Sequence, residues 1–157
     1  TPEPLIQKEF SRIMSLKDGS KKMSKSDPSD LSRINLRDEK DQIINKIKKA
    51  KTDPMPMPED NKILETRPEA KNLLGIYSSL KDQDIEKSVK EFKGKNFSTF
   101  KDSLSELLVE RLNPISMEIK KLLDDVSYLD SVLLEGSQKA NEMASKKIKE
   151  IKKLVGF

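Results

Sequence analysis

Neither cysteine nor histidine occurs anywhere in the 157 residues. Without thiols there is no disulfide framework, and without either residue type there is no Cys/His zinc site. Catalysis by imidazole or thiolate is excluded from the chain's own resources. Chemistry is left to Lys, Ser, Asp, Glu, Arg and backbone amides. No apolar run reaches the roughly 18 residues of a membrane span and no secretory pattern opens the chain, so a cytoplasmic location is expected. Aromatic residues are scarce, at 4%, and no stacking platform for nucleic-acid bases is visible among them. Tyr77, Phe97, Phe100 and Tyr128 are expected in a core. The carboxylate pairs Glu106/Glu110 and Asp124/Asp125 sit in highly charged helical stretches, where such pairs belong to the surface, and no metal site is assigned.

What is abundant is charge. Asp, Glu, Lys and Arg make up 37% of the chain, with a net charge of +4 and a pI near 9.1. That balance suits long solvated helix faces and permits an RNA partner without specifying one. Hydrophobic residues supply 34%, enough for one helical core. Pro2 and Pro4 open an extended lead, and Ile13, Met14 and Leu16 form a short apolar patch. Residues 17–30 are polar, rich in Ser and Lys, and carry Gly19 and Pro28; their composition predicts a loop, mobile in the absence of a ligand.

From Arg37 onward the apolar spacing is helical. Ile43, Ile44, Ile47 and Ala50 share a face, with Asp38 as the expected cap. Pro54, Pro56 and Pro58 make residues 52–58 an extended linker. Pro68 suits a first helical turn, with Leu73, Leu74, Tyr77 and Leu80 facing inward. Asp84 opens a short helix that stops before Gly94. Two long helices follow, one from Phe100 to Leu122 through Pro114 and one from Leu129 to Val155, and both apolar stripes are expected to be core. The basic face of Lys139, Lys146, Lys147, Lys149, Lys152 and Lys153 is interleaved with Glu142 and Glu150, which reads as a solvated surface. The predicted fold class is all-α: a helical bundle behind a short extended segment and a loop.

Lys22-Met23-Ser24-Lys25-Ser26 carries the chemistry. Two ammonium groups three residues apart flank a hydroxyl, and a second hydroxyl follows. On a loop they can converge on a polyphosphate, with each lysine a mobile point charge and the serines and amides adding neutral donors. Fixed positive charge there would stabilise a departing pyrophosphate, and one lost donor of this kind costs about 3–4 kcal/mol. The stretch is not a Walker loop, since no glycine-rich run leads into it. Taken alone, the five residues also fit a solvated basic loop.

The flanks separate these readings. KMSKS is the motif of class I aminoacyl-tRNA synthetases. Around it stand Arg12-Ile13-Met14-Ser15-Leu16, Asp27-Pro28-Ser29-Asp30 and Ser32-Arg33-Ile34-Asn35-Leu36. Further along come Lys46 to Asp53, Arg67-Pro68-Glu69-Ala70, Asn72 to Tyr77, and Val109-Glu110-Arg111-Leu112 with Pro114-Ile115. In order and spacing these blocks resemble the bacterial tryptophanyl-tRNA synthetase family across essentially the whole chain. The tyrosine family is the nearest competitor, and the Arg67–Tyr77 block is similar to the tryptophan type.

The resemblance implies ATP-dependent activation of tryptophan and its transfer to the cognate tRNA. Lys22 and Lys25 would be catalytic, holding phosphates and stabilising pyrophosphate as it leaves. Ser24 and Ser26 would donate hydrogen bonds, Met23 would offer its backbone, and Ile13 falls where the family's backbone meets adenine. ATP would enter as its magnesium complex, with no protein metal ligand on this chain. Residues 1–36 would be the tail of a catalytic domain, and residues 37–157 a helical domain that meets the tRNA anticodon region. The family's second ATP motif, HIGH, needs histidines that are missing here. The Rossmann-like nucleotide sheet and the tryptophan pocket are therefore expected before Thr1, and the chain alone is not expected to form adenylate. The family dimerises, and that contact is expected outside these residues, leaving this piece a monomer. The alternatives are a helical RNA-binding module with an incidental Lys/Ser loop, and a bundle with no ligand.

Overall fold

A computed structural model describes residues 2–4 and 10–156. Its helices are α1 (Lys40–Lys48), α2 (Pro68–Lys81), α3 (Ile85–Phe92), α4 (Phe97–Asp124) and α5 (Val126–Val155), with 3-10 turns at Asp30–Ser32 and Asn61–Thr66. The only pairing of extended backbone among the described residues is the antiparallel bridge between Met14 and Lys22. The all-α expectation holds. The chain divides into two compact units, residues 1–116 and 117–157. The first contains the extended segment and the loop together with α1, α2, α3 and most of α4.

In that unit, α2 starts with Pro68 at its first turn and buries Ala70, Leu73, Leu74 and Tyr77. The locked proline φ suits a position whose N–H has no intrahelical partner. Against this face lie Val89 and Phe92 of α3 and Phe100, Leu104, Leu107 and Leu108 of α4. The centre is aromatic: Phe92 stands edge-on to Tyr77 at 5.0 Å and to Phe100 at 4.8 Å. Full burial of each large apolar side chain contributes about 1.5–3 kcal/mol. The Tyr77 hydroxyl donates to Glu91 at 2.8 Å. Burial, with that carboxylate second, pushes the phenol up to about 12.

Several expectations change in three dimensions. Asp38 does not cap α1; Glu39 does, in a reciprocal capping box with Gln42. Asp38 is buried instead, 2.6 Å from the buried ammonium of Lys46. Residues 52–58 are neither helix nor strand, but the chain bends at Pro54, Met55 and Met57 rather than running extended, and it is not a free linker. Met57 is buried, its N–H donates to the Lys95 carbonyl at 2.8 Å, and its own carbonyl accepts from Gly94 at 3.3 Å. Asp53 takes a two-pronged contact from the Arg67 guanidinium at 2.9 and 2.6 Å. Burial is the largest influence and raises the Asp53 carboxyl, but the Arg67 hydrogen bonds, the Met55 N–H and the Arg67 charge together outweigh it and the group ends below the usual carboxylate range. Met57, the buried Pro58 and the Asp53–Arg67 pair are what pack this segment.

In the second unit, no residue of α5 is buried, and Tyr128 and Leu133 stand 51% and 69% exposed. The expectations that its stripe forms core and that Tyr128 is internal are overturned. A 3.6-residue apolar period specifies which side of a helix can be buried, not that a partner covers it. The mixed charges of α5 behave as a solvated surface, with Lys139 pairing Glu135 and Lys147 pairing Glu150.

Candidate functional site

The loop hangs on a small hairpin. Ser15 N–H donates to the Lys21 carbonyl at 2.8 Å, and Met23 N–H to the Ile13 carbonyl at 3.0 Å. Asp18-Gly19-Ser20 turns the chain between them, as Asp and Ser side chains that bond nearby backbone favour. The Asp18 carboxylate accepts from the Ser20 hydroxyl at 2.6 Å and the Ser20 N–H at 3.1 Å, and these two bonds hold it below the usual range. Gly19 is buried against the start of α2: a Cβ there would lie 2.6 Å from the Pro68 carbonyl carbon and 2.7 Å from the Glu69 nitrogen. Residues 17–21 therefore have a packed anchor that their polarity concealed.

The following tip is open. Ser24 and Ser26 share a hydroxyl–hydroxyl hydrogen bond at 2.9 Å, and Asp27 N–H reaches the Ser24 carbonyl at 3.4 Å. Both lysines of the motif are exposed, and neither has a carboxylate partner among the described residues. Ionic capacity at the tip is thus unspent.

Beyond the tip, the chain is tied down again. Arg33 Nη1 donates to the carbonyls of Asp27 at 2.9 Å and Ser29 at 3.4 Å, while Nη2 lies 3.1 Å from Asp30 and Nε donates to Asn35 at 3.2 Å. Lys46, buried on α1, reaches Asp30 at 2.7 Å as well as Asp38. The Lys46 contact, then Asn35, keep the Asp30 carboxyl below the usual range. The loop thus has two fixed stems and a free crest.

Between crest and stems lies a cleft of roughly 880 Å3 lined by Ile13, Lys22, Met23, Ser24 and Lys25. Of the residues singled out from sequence, only Ser26 is off its wall; it meets the site through Ser24. The cleft adds three cations not assigned from sequence, Arg12, Arg33 and Arg37, against one carboxylate, Asp38. Arg12 and Arg33 sit inside the sequence blocks quoted above, but nothing in their spacing shows that they line one cleft with Lys22. Lys46 and Arg33 together answer Asp38 and Asp30, so Arg12, Lys22, Lys25 and Arg37 leave the cleft a positive surplus suited to a polyanion.

A family model described as tRNA synthetases class I (W and Y) matches residues 1–113. The chain belongs to that family. Among curated relatives of this class I synthetase chain, the tryptophan--tRNA ligase of Agrobacterium fabrum is 52% identical over 155 residues, covering 99% of this chain and 44% of the relative. That of Caulobacter vibrioides is 51% identical over 156 residues, covering 99% and 45%. The chain therefore spans less than half the length of these relatives. Among solved structures, tryptophanyl-tRNA synthetase from Mycoplasma pneumoniae aligns with a TM-score of 0.73 at 25% identity, over 96% of this chain and 45% of that one. The Campylobacter jejuni enzyme, solved with ADP and tryptophan, aligns with a TM-score of 0.73 at 23% identity, over 99% and 47%; that likeness speaks for the fold. Among the described residues, no helix is long and apolar enough to cross a membrane.

Proposed function

We propose that this chain supplies the mobile ATP-phosphate loop and the tRNA-binding helices of a cytoplasmic tryptophan--tRNA ligase. One observation carries the reading: two unpaired lysines and a serine of the KMSKS crest share a wall of one cationic cleft with the Ile13 backbone segment. In this role Ile13 and Met23 bound the nucleotide, and Ser24 and Ser26 donate to phosphate oxygens. Lys22 and Lys25 follow the pyrophosphate as its bond to the α-phosphate breaks. Charge grows on that group in the transition state, so the lysines gain interaction there beyond what they have with bound ATP. ATP enters as its magnesium complex. Residues 1–36 act with the catalytic domain and residues 37–157 with the tRNA, while the dimer contact belongs to the remainder of the protein. The names of the relatives support the substrate assignment.

The test is tryptophan-dependent pyrophosphate exchange by the complete gene product. Lys22→Ala and Lys25→Ala should each slow adenylate formation by about 3–4 kcal/mol in barrier, with tryptophan affinity unchanged. Wild-type rates in both variants would refute the phosphate role. Salt-dependent tRNA binding with no exchange activity at all would favour a helical RNA-binding module instead.

A further inference from the structure

Asn72 lies in the second turn of α2, is 6% exposed, and is far from the loop in sequence. Its side chain nevertheless makes both hydrogen bonds that Met14 has to offer. The Asn72 Oδ1 accepts from Met14 N–H at 2.9 Å, and its Nδ2 donates to the Met14 carbonyl at 2.9 Å. The hairpin explains why both groups of Met14 are available. Residues 13–15 face residues 21–23 through the carbonyl of Ile13 and the N–H of Ser15. In an antiparallel pair the N–H and C=O of the residue between point to the other side, where a third strand would stand. Among the described residues none stands there; a primary amide with one donor edge and one acceptor edge takes its place.

The match is specific to asparagine. A leucine would leave two polar backbone groups unanswered, and an aspartate would set a carboxylate against the Met14 carbonyl. A second contact fixes the same hairpin to the same helix, at the packing of Gly19 on Pro68 and Glu69. Lys22, which is bridged directly to Met14, is thus carried by a hairpin whose height and tilt over the cleft are set by α2.

We propose that Asn72 is a positioning residue for the phosphate loop: its bracket on Met14 places Lys22 and transmits any displacement of α2 to the crest. The inference rests on the reading of residues 22–26 as the ATP-phosphate loop. Asn72 touches no substrate in this scheme; it acts through Met14.

The experiment uses the complete gene product and four variants: Asn72→Ala, Asn72→Asp, Lys25→Ala and Val89→Ala. Val89 is buried on α3, and its truncation lowers stability without touching the hairpin. Both Asn72 variants should slow tryptophan-dependent pyrophosphate exchange roughly tenfold to a hundredfold, the scale of a small misplacement of a reacting group. Their KM for tryptophan should stay at the wild-type value, and Val89→Ala should keep the wild-type rate despite a comparable fall in thermal midpoint. Wild-type rates in folded Asn72 variants would overturn the proposal, as would an equal loss in Val89→Ala. Should Asn72→Ala fail to fold, Asn72→Asp, which keeps the acceptor for Met14 N–H, carries the test; failure of both to fold would assign Asn72 a purely structural role. A wild-type rate in Lys25→Ala would strike the phosphate-loop reading itself, separately from the bracket.

Discussion

Replacing Lys46 by methionine isolates the ion cluster that holds the far stem of the loop. The Lys46 side chain is 3% exposed, and its ammonium lies 2.6 Å from Asp38, itself 6% exposed, and 2.7 Å from Asp30, 55% exposed. Removing one partner of a buried pair costs about 3–5 kcal/mol, because the other charge remains buried. Two details place the expected loss near the lower end. Asp38 keeps hydrogen bonds from Asn35 N–H at 2.8 Å and from its side-chain amide at 3.2 Å. Methionine also refills most of the volume of the lysine stem. The exposed Asp30 contact adds under about 1 kcal/mol. Lys46→Met should therefore destabilise by about 3 kcal/mol. Lys46→Met combined with Asp38→Asn removes the orphaned charge while keeping an acceptor for Asn35, and should recover about half of that loss. Urea unfolding followed by far-UV circular dichroism, compared at constant slope, measures both. A loss below about 1 kcal/mol in Lys46→Met, or a double variant no better than the single, would refute the cluster as a buried interaction.

Gly19→Ala drives a Cβ into the backbone at Pro68 and should cost about 1–3 kcal/mol, read as a lowered thermal midpoint; an unchanged midpoint would remove the docking of the hairpin on α2. The raised Tyr77 phenol gives a pH prediction. Its folded value of about 12 exceeds the ordinary 10, so its contribution is complete below pH 10 and is lost as pH rises through 12. That is about 2–3 kcal/mol across the window, and Tyr77→Phe should remove this part of alkaline unfolding. Phe100→Ala should cost about 3–5 kcal/mol, whereas Leu133→Ala on the exposed face of α5 should stay within about 0.5 kcal/mol; similar losses at the two sites would contradict the burial pattern.

The patterns that sequence alone decided are those written in short range. Apolar residues at helical spacing, Pro68 at a first turn and the absence of alternating runs after residue 36 sufficed for the all-α fold and for the main helices. Lys22 to Ser26, read with the blocks on either side, sufficed to name the family, but only Ile13 and Lys22 to Lys25 of the cleft wall were singled out. Pairings across long sequence separations were out of reach. Nothing local distinguishes Lys46, buried on two carboxylates, from Lys48 and Lys49 beside it, or marks Asn72 as a partner for Met14. Arg33 stands in the sequence only as part of a family block, and the return of the chain is what puts two loop carbonyls in front of it. Residues 17–30 read as uniformly polar, yet Gly19 is packed while the crest is free, because a missing side chain is legible as an anchor only when the surface it touches is known. The exposure of α5 has the same origin: periodicity marks the face of a helix that can be buried, and only the tertiary structure decides whether anything lies against it.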